Sequence, residues 1–335
     1  MILDPGFNLT LRPMKYPHFY EHYKNAIKNT WTVEEISFST DISDIRDKLS
    51  PAEQHIIKRL VAFFATGDTI VSNNACLTLY KHVNSPEARM YYGRQIAEEI
   101  LHVDFYATLL DNYLPNERDR YDAFDAINTI PSIKKKADFC FKWMDGMNSI
   151  DACDTMEKKR IFLKNLIAFA ACVEGLFFFG AFAYIYFLRS KGLLHGLASG
   201  TNWVFRDESL HMNFAFDVID TIVKEYPELW DEDLQEQIIE MITEAIDCEY
   251  QFAEDVLQIG VAGLSKEDMK TYLQYCGNQR LLRLGIPPIW KANNPFSFME
   301  LQDLSSHTNF FERTTTEYSI GNLRGGTVKL DNDDF

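Results

Sequence analysis

Apolar residues recur along this chain at the three-to-four-residue spacing of helices, and alternating runs of the strand type are few. A capped start at Ser50-Pro51, with Glu53 three residues on, predicts a helix through KRLVAFFATGDTIVSNNACLTLYKHV. A second is predicted from Ser85-Pro86 to about Leu114, again with proline at the first helical position. Shorter helices and loops are expected over 115–156, one long helix over 157–189 and another over about 198–225. After a break at Pro227 come helices near 231–258 and 265–284, the last stopped by Gly285-Ile286-Pro287-Pro288. Pro5, Pro13 and Pro17 interrupt the first thirty residues, and 290–335 shows no sustained period. The pattern predicts an all-α fold, with one large helical domain over 1–312 and a flexible tail over 313–335.

Composition narrows the class. The 335 residues can bury a large core, and aromatics are plentiful, with 25 Phe, 16 Tyr and 5 Trp. A formal net charge of −16 argues against nucleic acid as a partner, and no glycine-rich phosphate loop is present. Cys76, Cys140, Cys153, Cys172, Cys248 and Cys276 form no CxxC and sit mostly among apolar residues, which points to reduced core thiols and a cytoplasmic protein. The N-terminus has no basic segment followed by an apolar run, so no secretory signal is expected.

Two isolated charges break the apolar pattern. Leu166 to Leu188 is apolar, small or aromatic except at Glu174. The run is long enough to span a bilayer, but no second run of that purity exists, and a core helix is the better reading. Leu60 to Tyr80 likewise carries Asp68 as its only charge. A buried carboxylate is costly unless paired or bound to a cation. Either residue alone reads most simply as a protonated or amide-paired core carboxyl; two on long core helices call for a common cause.

Glu99-Ile100-Leu101-His102 and Glu208-Ser209-Leu210-His211 supply one. Residues i and i+3 share a helix face, so each Glu-x-x-His can present a carboxylate and an imidazole to one metal ion. A single such motif is weak evidence. Here each follows a lone core carboxylate, Asp68 by 31 residues and Glu174 by 34. Two lone carboxylates and two Glu-x-x-His helices make up the dinuclear metal site of ferritin-like bundles. Four carboxylates neutralise two divalent ions, and oxygen with imidazole suits iron or manganese.

With these six residues in place, the sequence from about Trp31 to Tyr318 resembles the small, radical-generating subunit of class I ribonucleotide reductase. The resemblance implies a ferritin-like bundle whose four-helix core carries the metals, with additional helices around it. Asp68, Glu99 and His102 would hold one metal, Glu174, Glu208 and His211 the other, with Glu99 and Glu208 able to bridge. It makes Tyr106, one turn past His102, the radical tyrosine, and Asp207 the carboxylate that orients His102. Trp31 falls on the electron-transfer route, Tyr318 in Tyr-Ser-Ile-Gly at the tail relay, and Phe178 in the apolar shell around the radical. Taken by position alone, Tyr106 and Trp31 are equally core packing residues.

The same resemblance implies two metal ions per chain, iron first, with a manganese pair or a mixed pair also accommodated. Oxygen or a reduced oxygen species activates them. The oxidising equivalent rests on Tyr106 or on the metals and passes through Asp207, Trp31 and Tyr318 to a separate large subunit, where ribonucleotides are reduced. The acidic tail Asp331-Asn332-Asp333-Asp334-Phe335 is then the docking peptide. A homodimer is expected, and a flavoprotein activase if the metal is manganese. No membrane partner is expected. Two rivals remain open at this point: a ferritin-like oxidase or oxygenase acting on a bound organic molecule, and a metal-storage or structural bundle.

Overall fold

The computed structural model describes residues 1–67 and 73–299; Asp68, Tyr318 and the acidic tail lie outside them. Thirteen α-helices are described: α1 (Pro17–Ile27), α2 (Ser39–Asp47), α3 (Pro51–Gly67), α4 (Asn73–His82), α5 (Pro86–Tyr113), α6 (Glu117–Phe124), α7 (Ala126–Thr129), α8 (Pro131–Met144), α9 (Met156–Ile167), α10 (Phe178–Ser190), α11 (His195–Glu225), α12 (Glu232–Val256) and α13 (Lys266–Arg283). The one strand-type pairing among the described residues is an isolated bridge, Val261 with Leu264. Met1–Pro295 forms one compact unit; a second begins at Phe296, and its described part is a single tight turn, Ser297–Met299.

The helix starts follow local chemistry. Ser50 and Glu53 form a reciprocal cap: Ser50 donates its amide to the Glu53 carboxylate (2.9 Å), and Glu53 donates its amide to Ser50 Oγ (3.3 Å). Ser85, Thr155, Asp231 and Ser265 cap α5, α9, α12 and α13 in the same spirit, each accepting from an amide of the first turn. α11 lacks a cap of its own, since Leu194 precedes it with φ +53°. Asp41 of α2 accepts instead from the amides of Gly196 (2.9 Å) and Leu197 (2.7 Å), and Asp44 from that of Leu194 (3.0 Å). That borrowed cap lets α11 start three residues earlier than the sequence pattern suggests. α1 was also illegible from the pattern, because Pro17 breaks the preceding chain while itself fitting the first helical position.

The long apolar helix is continuous from Met156 to Ser190, yet Ala168–Phe177 is wound as a π-helix between α9 and α10. It is the one helix among the described residues apolar and long enough to cross a membrane, and its apolar window lies wholly inside the molecule. Phe162, Phe169, Phe177 and Phe182 are fully buried along it. Burying each contributes about 1.5–3 kcal/mol relative to exposure. α3, α5, α11 and this helix pack against one another as the core, with α12 covering the π segment and α13 and α8 packed on α12.

Candidate metal centre

α5 and α11 each place Glu and His one turn apart on their inward faces. Glu99, His102, Glu208 and His211 are buried there, joined by Glu174 from the π-wound segment. Ligand atoms of Glu99, Glu174, Glu208 and His211 all lie within 4.8 Å of one another. Both imidazoles turn Nδ1 inward. His102 Nδ1 is 3.1 Å from Glu208 Oε1 and 3.7 Å from Glu99 Oε2. His211 Nδ1 is 3.2 Å from Glu208 Oε2, 3.3 Å from Glu99 Oε1 and 3.8 Å from Glu174 Oε1. Glu99 and Glu208 therefore each turn one oxygen toward each histidine, the disposition of a carboxylate able to span two cations. Glu174 approaches His211 alone. Asp68, the remaining sequence candidate, lies outside the described residues.

The outward nitrogens are held by a second set of carboxylates. His102 Nε2 faces Asp207 Oδ2 at 3.4 Å, and His211 Nε2 faces Glu98 Oε2 at 2.9 Å. Each of these is backed by an arginine of its own helix: Arg206 to Asp207 (3.2 Å) and Arg94 to Glu98 (2.8 Å). Fixing one ring nitrogen in this way sets the tautomer and aims the other inward. Sequence reasoning found Asp207 and missed Glu98. The signal was present: an acidic residue stands directly before the ligand glutamate in both motifs. Gln95, also missed, donates its side-chain amide to Glu174 Oε1 at 2.9 Å.

The charges explain what the pocket is for. Burial alone would lower both imidazoles, but the surrounding carboxylates hold His102 and His211 well above the ordinary histidine range. Glu174 is pushed well above the usual carboxylate range by burial, with Glu208 and Glu99 adding to it, while the two imidazoles facing Glu99 outweigh its burial and bring it down to about 2. Protons thus supply the positive charge that the carboxylates demand. Glu99 Oε2, His102 Nδ1 and Glu174 Oε2 are nonetheless buried without a hydrogen bond. Buried polar atoms are seldom left so. Converging oxygen and imidazole donors with orphaned lone pairs fit hard or borderline divalent cations, iron and manganese among them.

The flanking residues line up along α5 and α11. Trp31 is buried, donates Nε1 to Asp207 Oδ2 at 2.7 Å, and lies over the His102 ring at 6.2 Å between centroids. It also meets Trp203, half-buried, at 5.2 Å between centroids. Tyr106 is buried one turn past His102, with Phe64 stacked on it at 4.2 Å and 6°. Phe178 lies parallel to Phe64 at 6.5 Å, extending that apolar wall. Tyr318 lies outside the described residues.

A helical bundle whose core, among the described residues, pairs two Glu-x-x-His helices with a carboxylate from a third has the design of the ferritin-like dimetal carboxylate proteins. Within that class the chain belongs to the ribonucleotide reductase small-chain family, whose sequence pattern matches residues 8–295. It is 36% identical over 310 residues to the ribonucleoside-diphosphate reductase small subunit of Dictyostelium discoideum, covering 92% of this chain and 86% of that one. Its fold is shared with the ribonucleotide reductase R2 subunit of Clostridium botulinum (TM-score 0.80, 21% identity, covering 91% of this chain and 98% of that one). It is shared too with the dimanganese(II)-NrdF of Streptococcus sanguinis (TM-score 0.76, 20% identity, 89% and 99%).

Proposed function

We propose that this chain generates and stores the oxidising equivalent with which a class I ribonucleotide reductase converts ribonucleotides to deoxyribonucleotides on a separate large subunit. The observation that carries the reading is the convergence of Glu99 and Glu208 on both inward-facing imidazoles, with orphaned carboxylate and imidazole atoms between them. Asp68, Glu99 and His102 hold one ion; Glu174, Glu208 and His211 hold the other. Iron is the proposed metal. A manganese pair or a mixed pair suits the same donors, as the dimanganese(II) protein of the same fold illustrates, and manganese brings a flavoprotein activase as partner.

When bound, the metal pair supplies one-electron oxidation driven by oxygen or a reduced oxygen species. The protein's own part is to hold the ligands, keep water out and give the hole a route. Glu98 and Asp207 aim the imidazoles. Phe64 and Phe178 wall off Tyr106, so a phenoxyl formed there by loss of an electron and the Oη proton is kept from solvent. From His102 the line runs through Asp207 to Trp31 and on to the half-buried Trp203. Tyr318 relays onward, and the acidic segment ending at Phe335 docks the large subunit. A flexible tail over 313–335, a homodimer and a cytoplasmic setting complete the reading; six buried, unbridged cysteines support the last. An oxidase acting on a bound organic molecule has no need of Trp31, Tyr318 or a docking tail.

The test is metal analysis of the loaded chain joined to electron paramagnetic resonance after exposure to oxygen. Two ions per chain and a tyrosyl signal that vanishes in Tyr106→Phe are expected. A metal-centred signal indifferent to Tyr106→Phe would move the oxidant onto the metals, and no stoichiometric metal would overturn the reading.

A further inference from the structure

The π winding of Ala168–Phe177 is not explained by the residues of that helix alone. Each ring of a π-helix closes five residues back rather than four, and such turns are rare and found frequently at functional sites. Glu174 sits inside the segment, so its winding decides which way that carboxylate points. Rewinding to an α-helix would rotate Glu174 relative to α9 and away from His211.

Arg280 of α13 reaches the segment at the neighbouring residue. It donates from Nε to the Gly175 carbonyl oxygen at 3.2 Å, and its guanidinium lies over the Phe179 ring at 4.6 Å. Phe179 in turn packs on Phe205 of α11 at 4.9 Å between centroids, two residues before Asp207. The chain offers 49 carboxylates, yet the hydrogen bond Arg280 makes among the described residues goes to a backbone carbonyl. Gly175 is matched to it. A β-carbon there would stand 2.8 Å from Arg280 Nε and 2.8 Å from the carbonyl oxygen of Ala170, five residues back. Neither the inserted arginine nor the π ring leaves room for a side chain.

We infer that Arg280 is a positioning residue: together with Gly175 it locks the π turn and thereby holds Glu174 at the second metal position. The guanidinium satisfies the Gly175 carbonyl from outside the helix, and its stacking on Phe179 fixes its own direction. This rests on the dimetal reading above. It also makes a claim about the metal-free protein, where the lock acts before any ion arrives.

Two measurements separate the two ideas. In the metal-free chain, hydrogen–deuterium exchange of amides 168–177 is compared between wild type and Arg280→Met, which keeps an apolar stem over Phe179 but loses the donor. Exchange at least tenfold faster within the segment, with α12 unchanged, is expected. In parallel, binding of Fe(II) alone and Mn(II) alone is titrated. Wild type should take two ions per chain; Arg280→Met should take the first normally and the second at least tenfold more weakly, with an altered metal spectrum. Arg280→Lys, which restores a donor, should recover most of the second-ion affinity. Wild type binding no ion would fail the dimetal reading and leave the exchange result to judge the lock. Two ions bound by Arg280→Met at wild-type affinity, or unchanged exchange, would overturn the lock itself. Should Arg280→Met not fold, Gly175→Ala decides by the same readouts, because its methyl displaces Arg280 from the other side.

Discussion

Two clusters of buried charge sit in this bundle, and they are built on opposite plans. In one, Glu99, Glu174, Glu208, His102 and His211 converge with lone pairs facing each other and several atoms orphaned. In the other, Lys136 of α8 and Glu249 of α12 form a direct ion pair, with the ammonium also lying 3.8 Å from the Phe63 ring centroid and 3.9 Å from that of Phe252. Both are almost wholly out of water. The second cluster carries its own counter-charge, although its polar atoms too lack hydrogen-bond partners beyond the ion pair. The first has carboxylates in excess and stays neutral only by holding protons or cations. What marks a metal site is thus unmet demand for positive charge among converging donors; burial of a carboxylate alone does not mark one.

The sharpest way to break this contrast is to remove one carboxylate from each cluster in the metal-free protein. Glu249→Leu leaves the Lys136 ammonium uncompensated among phenyl rings, and a loss of about 3–5 kcal/mol in urea unfolding is expected. Adding Lys136→Met should recover most or all of it, because replacing both partners of a buried pair by apolar residues is often neutral. Glu174→Gln removes a carboxyl whose ionisation burial, and then Glu208 and Glu99, already oppose, so the metal-free fold should lose no comparable stability. Metal counts reverse the order: Glu249→Leu with Lys136→Met keeps two ions per chain, and Glu174→Gln loses one. Equal destabilisation by Glu174→Gln and Glu249→Leu would show that the two clusters are not different in kind.

The asymmetry also explains what could be read in advance. Glu174 stands alone among the 22 apolar, small or aromatic residues that share the run from Leu166 to Leu188, and announces itself. Glu249 is less conspicuous: it falls in phase with Ile242, Ile246, Phe252 and Val256 on the inward stripe of α12, but charged residues recur along that helix and only the phase tells this one from the rest. The two Glu-x-x-His motifs were legible because i and i+3 share a face whatever the fold does. Glu98 was legible only through the doubled acid before each motif, and Gln95 not at all, since a neutral amide on a mixed helix carries no signal. The π winding was likewise hidden. It depends on Arg280, which is 105 residues from Gly175 in sequence. The borrowed cap from Asp41 to α11 has the same character: a side chain of one helix completing the backbone of another.

A smaller effect sharpens the comparison within the metal cluster. Glu98 holds His211 Nε2 as Asp207 holds His102 Nε2, but Asp207 is shared with Trp31 and Glu98 is not. Glu98→Ala should weaken metal binding by roughly 10–100-fold, the usual cost of losing the partner of a ligating histidine. The effect should fall on the ion beside His211, and Trp31 fluorescence should not change. Asp207→Ala should weaken the other ion by a similar factor and shift the Trp31 emission, because the indole N–H loses its acceptor. Titration of each variant with Mn(II), followed by fluorescence, checks both. A Glu98→Ala chain with wild-type affinity would mean that its bond to His211 does not orient the ligand.

The smallest effect is a pH slope confined to the self-neutralised pair. Burial raises the Glu249 carboxyl to about 7 from its ordinary 4.5, and burial lowers the Lys136 ammonium. A carboxyl raised on folding contributes stability that is full below about 4.5, where both states are protonated. It is lost as the pH climbs through about 7, because the unfolded chain ionises first. Wild type should therefore lose stability relative to Glu249→Gln over that window, by at most one proton's worth, about 1.4 kcal/mol per pH unit. The histidine and carboxylate protons of the metal cluster are common to both chains and cancel in the difference. Urea midpoints of the metal-stripped proteins from pH 5 to 8 make the measurement. A difference that does not change with pH would mean Glu249 stays ionised throughout, held down by Lys136, and that the pair is a full salt bridge at every pH the protein meets.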